Sequence, residues 1–210
     1  DGYIGGNSHD PTNAPMLPGS GGGSFQSGVP ANQGGKGGGA IYVQASGTVT
    51  IDGTISANGL NSGWACGGGA GGSIYITCST FGGTTNGLLR ADGGTGSIGG
   101  GNGGAGAGGR IAVNYGNLSA EHAVRFSTAP GSQGWRQTEG NSGWNAAAQR
   151  GTVWLPDTRL LSENLNNWLF NGVRLYPGAT TQWGVNSLTV SNCSVVFGAS
   201  GFKLTVTNSL

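Results

Sequence analysis

The sequence predicts an all-β chain wound as a single right-handed parallel β-solenoid with glycine-rich, polyglycine-II-like excursions. Three observations carry this. One unit of small residues followed by an alternating strand recurs four times. Glycine supplies 47 of the 210 residues and in part falls on a three-residue period. β-Branched residues, poor helix formers, fill the segments between the glycine runs.

The recurring unit is Gly38-Gly39-Ala40-Ile41-Tyr42-Val43, then Gly71-Gly72-Ser73-Ile74-Tyr75-Ile76, Gly108-Gly109-Arg110-Ile111-Ala112-Val113 and Arg150-Gly151-Thr152-Val153-Trp154-Leu155. Its first aliphatic positions lie 33, 37 and 42 residues apart. Alternation of apolar and variable residues suits a strand with one buried face. Ile41, Val43, Ile74, Ile76, Ile111, Val113 and Val153 are therefore the expected solenoid core. A coil of this kind leaves an apolar face that only the next coil covers. Handedness follows the rule for parallel crossovers.

A second strand follows the first two units, in Asp52–Gly59 and its match Asn86–Gly93, with a degenerate third copy around Val124–Ser127. Asn58 and Asp92 fall where a turn is due. Gly94, Gly100, Gly103, Gly106 and Gly109 fall on a three-residue period interrupted by Ser97, which suits an extended helix of the polyproline-II type. Packed glycine helices and loose surface loops are the two readings of these runs. Asp157–Trp168 is the one stretch able to hold a turn or two of helix. Towards the C-terminus Asn186–Val190 is echoed by Lys203–Val206. The whole reads as one domain, 1–210: glycine-rich repeats over 1–130, a Trp-containing insertion over 131–170 and short-coil strands over 171–210.

Charged residues make up 8 % of the chain, and the formal net charge is +1; an average soluble domain carries roughly 25 %. No basic cluster exists, so nucleic acid is not an expected partner. No apolar run reaches membrane-spanning length, so no membrane insertion is expected. The chain starts at Asp1 with no signal peptide, which suggests a processed form or a piece of something longer. Cys66 and Cys78 lie twelve apart and are a candidate disulfide in an oxidising compartment, leaving Cys193 odd.

Chemistry-bearing motifs are sparse. Ser8-His9-Asp10 cannot aim three adjacent side chains at one point. No P-loop or nucleophile elbow is present, and His9 and His122 share no metal-ligand spacing. A polysaccharide-cleaving solenoid needs clustered carboxylates, and of the eight available Asp52 and Asp92 sit in repeat turns. The expectation is no catalysis, no cofactor and no metal.

The aromatics are more informative. Tyr42, Tyr75 and Trp154 hold equivalent repeat positions, with Ala112 between them, and an outward ladder results if Ile41 and Val43 point inward. Such a ladder stiffens the coils or forms a platform for sugar rings or a neighbouring protomer. Trp135 and Trp144 lie in a loop-like insertion suited to glycan or lateral contacts. The ends are informative too. Asp1–Asn7 reads like Asp52–Asn58 but lacks the strand Thr48–Ile51 that precedes the inner copy. The terminal Leu204–Leu210 is a strand of the missing kind. Asp1, Gly2, Tyr3, Ile4, Leu204, Val206 and Leu210 are thus expected at a subunit junction, in a tandem array or a head-to-tail polymer.

The motifs GGGAIYVQASGTVTIDGTISANG, GGGAGGSIYIT and GAGGRIAVNYG span roughly residues 34–115. With weaker likeness at 186–210, they resemble the Gly-rich parallel β-helix repeat regions of large secreted or cell-surface bacterial, adhesin-like proteins. The resemblance implies an extracellular structural or adhesive role with no catalytic residues to carry over; the Trp-containing segment 131–170 departs from it. The resulting expectation is a self-assembling subunit or module of an extracellular filament or sheath, with copies of itself as partner. The alternatives are a glycan-binding adhesin module, with surface polysaccharide as partner, and a polysaccharide lyase or hydrolase on a β-helix.

Overall fold

The computed structural model describes residues 10–24, 33–97, 103–132, 148–166, 168–178, 180–193 and 195–209. Among them are strands and no helix. In chain order these are β1 (Ala40–Gln44), β2 (Thr48–Thr50), β3 (Thr54–Ser56), β4 (Ser73–Gly83), β5 (Leu88–Arg90), β6 (Arg110–His122), β7 (Arg125–Ser127) and β8 (Gly151–Leu155). Then come β9 (Asn164–Asn166), β10 (Phe170–Asn171), β11 (Val173–Pro177), β12 (Gln182–Ser187), β13 (Thr189–Ser191), β14 (Val196–Phe197) and β15 (Lys203–Ser209). The stretch from Asp157 to Trp168 that was open to a helical turn instead contains β9.

Every strand pairing is parallel. The largest sheet runs β1-β4-β6-β8-β11-β14, with β2 also on β4, and a second runs β10-β7-β5-β3. Two further pairs, β12-β15 and β13-β9, complete the set. Ile41 stands opposite Ile74, Ile74 opposite Ile111 and Ile111 opposite Val153. The degenerate third copy is a strand as well: Leu89 of β5 pairs with Phe126 of β7. At the C-terminus the sequence echo misleads. Leu204 stands opposite Trp183 rather than Leu188, and Val190 stands opposite Leu165.

One core fills the space between the sheets. Ile74, Ile76, Ile111, Val113 and Val153 are fully buried, while Ile41 and Val43 on the terminal strand β1 are half-buried because only β4 packs beside them. Phe126 stacks on Phe170 at 5.6 Å between centroids, and Phe81 on Tyr115 at 6.3 Å. Each fully buried aliphatic of this kind contributes about 1.5–3 kcal/mol of transfer free energy.

The described glycine segments are joined by hydrogen bonds rather than left loose. Segments 33–39, 67–73 and 103–109, each leading into a long strand, run parallel: Gly35 N–H donates to Gly67 O, Gly38 to Ala70, Gly68 to Gly104 and Gly71 to Ala107. Segments 57–62, 91–97 and 127–132, each leaving a short strand, form a second parallel row through Gly59 to Asp92, Ser62 to Thr95, Gly93 to Ala129 and Gly96 to Ser132. The two rows are antiparallel, bonded by Gly69 to Leu60, Gly94 to Gly69 and Gly106 to Gly94. Donors to any one neighbour recur every third residue, the period of an extended three-fold helix. Residues 19–23 add one more segment on the outer side of the first row.

Side chains reinforce the stacking of repeats. Asp52 accepts the Thr84 N–H at 2.7 Å, Asn58 that of Asp92 at 2.8 Å, and Asn61 that of Thr95 at 2.8 Å. Asp92 in turn accepts the Ala129 N–H at 2.8 Å and the Ser127 hydroxyl at 2.5 Å. Asn58 and Asp92 therefore act by bridging successive repeats, and neither takes a positive φ.

Candidate functional site

The outward positions of the long sheet bring together the aromatic residues singled out in the sequence. Register places Tyr42, Tyr75, Ala112, Trp154 and Tyr176 in one row across β1, β4, β6, β8 and β11. The Tyr42 and Tyr75 rings stack at 5.1 Å and 21°. Ala112 breaks the row between Tyr75 and Trp154, so the rings do not form one continuous face. Tyr42 is 47 % exposed, whereas Tyr75 and Trp154 are half-buried. Trp135 and Trp144 lie outside the described residues.

An exposed aromatic that the sequence reading passed over stands on the other sheet's margin. Trp168 is 62 % exposed, and the Arg125 guanidinium carbon lies 4.1 Å from its ring centroid. Beside it a groove of about 530 Å³ is lined by Thr84, Glu121, His122, Arg159, Leu161 and Phe170, among others. Trp168 carried no signal in the sequence, because the Asn-rich segment around it shows no strand period.

Polar chemistry concentrates at one cluster. The Tyr115 hydroxyl donates to Asp157 at 2.8 Å, the Arg159 backbone N–H donates to the same carboxyl oxygen at 2.9 Å, and Arg159 Nε donates to the other at 2.8 Å. Arg159 also donates to the Gly116 carbonyl and lies over the Tyr115 ring. Burial raises the Asp157 pKa, but the donors from Arg159 and Tyr115 outweigh it and hold the carboxyl below its ordinary value. Burial, then the bond to Asp157, pushes the Tyr115 hydroxyl well above its ordinary value. The Asp157 carboxylate raises Arg159. All three groups keep their ordinary charge states at neutral pH, so the cluster ties strand β6 to the turn after β8 and stores no displaced proton.

Two other described carboxylates are similarly engaged. Asp10 accepts the Met16 and Leu17 N–H groups and pairs with Arg110 at 3.6 Å. Glu163 accepts the Asn186 N–H and the Ser187 hydroxyl. Among the described residues no group of three or more His, Cys, Asp or Glu side chains is placed to hold a metal ion. No helix among the described residues is long and apolar enough to cross a membrane.

The expected Cys66–Cys78 bridge is not formed; both are thiols. Cys66 lies in the glycine array, where Ser62 donates to its carbonyl and its Sγ donates to the Trp64 carbonyl at 3.1 Å. Cys78 faces the core from β4, and burial raises its pKa. The two belong to different layers, which twelve residues of separation do not reveal. Cys193 donates its thiol to the Leu165 carbonyl at 3.3 Å.

The ends of the sheets are the remaining surface. At one end β1, β2 and β3 each pair on a single side among the described residues; at the other, β13, β14 and β15 do. Val190, Val196 and Leu204 on those last strands are 50 %, 36 % and 40 % exposed. Of the expected junction residues, Leu204 and half-buried Val206 lie on β15, while Asp1, Gly2, Tyr3, Ile4 and Leu210 fall outside the described residues. No protein-family model, no curated protein and no solved structure matches this chain.

Proposed function

We propose that this chain is a structural subunit or module of an extracellular filament, sheath or adhesin, joined end to end with copies of itself. In this reading each repeat is one coil of a right-handed parallel β-solenoid, and the glycine segments are polyglycine-II helices packed alongside. It assigns no catalysis, cofactor or metal. The observation that carries it is the state of the terminal strands. Among the described residues both ends finish in parallel strands with one open edge, and three of those strands at one end expose Val190, Val196 and Leu204. Parallel edges at opposite ends match in direction, so an end of one copy continues the sheet of the next. A net charge of +1 puts little repulsion between copies.

The test is a double variant, Val196→Lys with Leu204→Lys, compared with the unaltered chain by light scattering and electron microscopy. Lysine on an open edge blocks strand addition. The unaltered chain assembles with concentration, and the variant stays monomeric with the same circular dichroism. A chain that remains monomeric at high concentration, or a variant that assembles equally well, removes the reading.

A glycan-binding adhesive module is the second reading, favoured by exposed Trp168 beside the groove. A polysaccharide ligand there shifts tryptophan fluorescence, and Trp168→Ala abolishes the shift. An unchanged signal across a panel of polysaccharides counts against it.

A further inference from the structure

The groove near Trp168 lies where the repeat is broken. Residues 84–87 join β4 to β5 and residues 123–124 join β6 to β7, whereas residues 156–169 separate β8 from β10 and carry β9 on the way. The groove takes lining residues from all three connections and from the end of β6. At about 530 Å³ it falls within the range of about 300–1,000 Å³ that small-ligand clefts occupy. A departure from an otherwise consistent pattern is where function is expected to sit.

The exposed indole at its side is held in place. The Trp168 backbone N–H donates to Asn166 Oδ1 at 3.0 Å, and the Arg125 guanidinium covers one face of the ring at 4.1 Å. Arg125 Nη2 in turn donates to the Asn86 carbonyl at 3.3 Å, on the first of the three connections. An aromatic ring fixed before a ligand arrives loses little freedom on binding. Within the groove, buried Val124, Leu161 and Phe170 supply apolar lining, and exposed Thr85, Glu121 and His122 supply polar lining.

Charge at this place disfavours ligands of either sign. Glu121 is exposed and in no ion pair among the described residues, so it repels an anion. Arg159, the cation that lines the groove, is committed to Asp157 through Nε at 2.8 Å and Nη2 at 2.7 Å, and the pair carries no net charge. Arg125 sets its own positive charge on the indole, where a cationic ring would have to stack. His122 Nδ1 donates to the Ser119 carbonyl at 2.9 Å, which leaves Nε2 of the neutral ring as an acceptor. Acceptors on Glu121 and His122, the Thr85 hydroxyl, apolar lining and a fixed indole suit an uncharged ring with apolar C–H faces and several hydroxyl donors.

We propose that this groove binds a neutral saccharide, with a sugar ring stacked on the open face of Trp168 and hydroxyls donating to Glu121 and His122, and that it discriminates against uronate and amino-sugar chains. The proposal rests on the glycan-binding reading of this site and narrows it to one chemical class.

Calorimetric titration of the whole chain with oligosaccharides of matched length tests this, using neutral glucan, mannan, galactan and xylan series, a polygalacturonate series and a chitosan series. At least one neutral series binds at least tenfold more tightly than either charged series. Trp168→Ala and Glu121→Lys each lower that affinity at least tenfold, and Glu121→Lys raises the affinity for polygalacturonate. Tighter binding of a charged series by the parent overturns the neutral assignment and leaves the glycan-binding reading standing. No binding by any series overturns both. Neutral binding that the two variants leave unchanged overturns the site. Should a variant fail to fold, the order of affinities in the parent decides alone.

Discussion

Gly38 and Gly39 are neighbours in the chain, yet a methyl group has opposite consequences at the two. At Gly38 an added Cβ would collide with the Ala57 carbonyl oxygen and the Gly72 nitrogen, which are backbone atoms unable to swing aside. At Gly39 it meets nothing within 4 Å. Gly38→Ala is expected to cost about 1–3 kcal/mol or more, and Gly39→Ala to stay within about 0.5 kcal/mol of the parent. Denaturant midpoints for the two variants check this. Asp157 sets a second expectation at this scale. Its carboxyl is held below the ordinary value, so it contributes stability at neutral pH that is lost as pH falls below about 4. Asp157→Asn is expected to cost about 1 kcal/mol at pH 7, and the gap to the parent should narrow in acid. A gap that widens in acid would contradict the assignment.

Strand β4 is the element on which the long sheet depends, because β1, β2 and β6 all pair with it. Ile76 points from its middle into the core and is fully buried. Ile76→Ala is expected to cost about 2–5 kcal/mol, measured by thermal or denaturant unfolding. The pairing of β4 was legible in the sequence, since Ile41, Ile74, Ile111 and Val153 fall opposite one another as the repeat aligns them. Long strands carry enough alternating residues to define a register. The pairing of β15 was not legible. Leu204-Thr205-Val206 resembles Leu188-Thr189-Val190, but short C-terminal strands leave register to turn lengths, and Trp183-Gly184-Val185 became the partner. The Tyr115–Asp157–Arg159 cluster was equally hidden, because it joins residues some forty apart with no local pattern. Glycine spacing revealed a three-residue period but not which segments would bond.

Across the whole molecule, polar side chains hold one repeat to the next more than they build a pocket. Asp52, Asn58, Asn61 and Asp92 each accept an N–H from the repeat beyond, so the stack is tied along its length by charge and backbone together. The apolar core runs the same way, and among the described residues it ends in strands paired on one side. No disulfide contributes to this cohesion, so reducing agent is expected to leave the unfolding midpoint unchanged, and denatured chain should titrate all three thiols.

Electron microscopy of the purified chain under native conditions, with diffraction along any filament axis, tests end-to-end assembly most directly. Stacked coils predict long filaments with an axial strand spacing of about 4.8 Å and a longer subunit repeat. Isolated particles at every concentration would contradict assembly through the open strands and shift the functional weight to the groove beside Trp168.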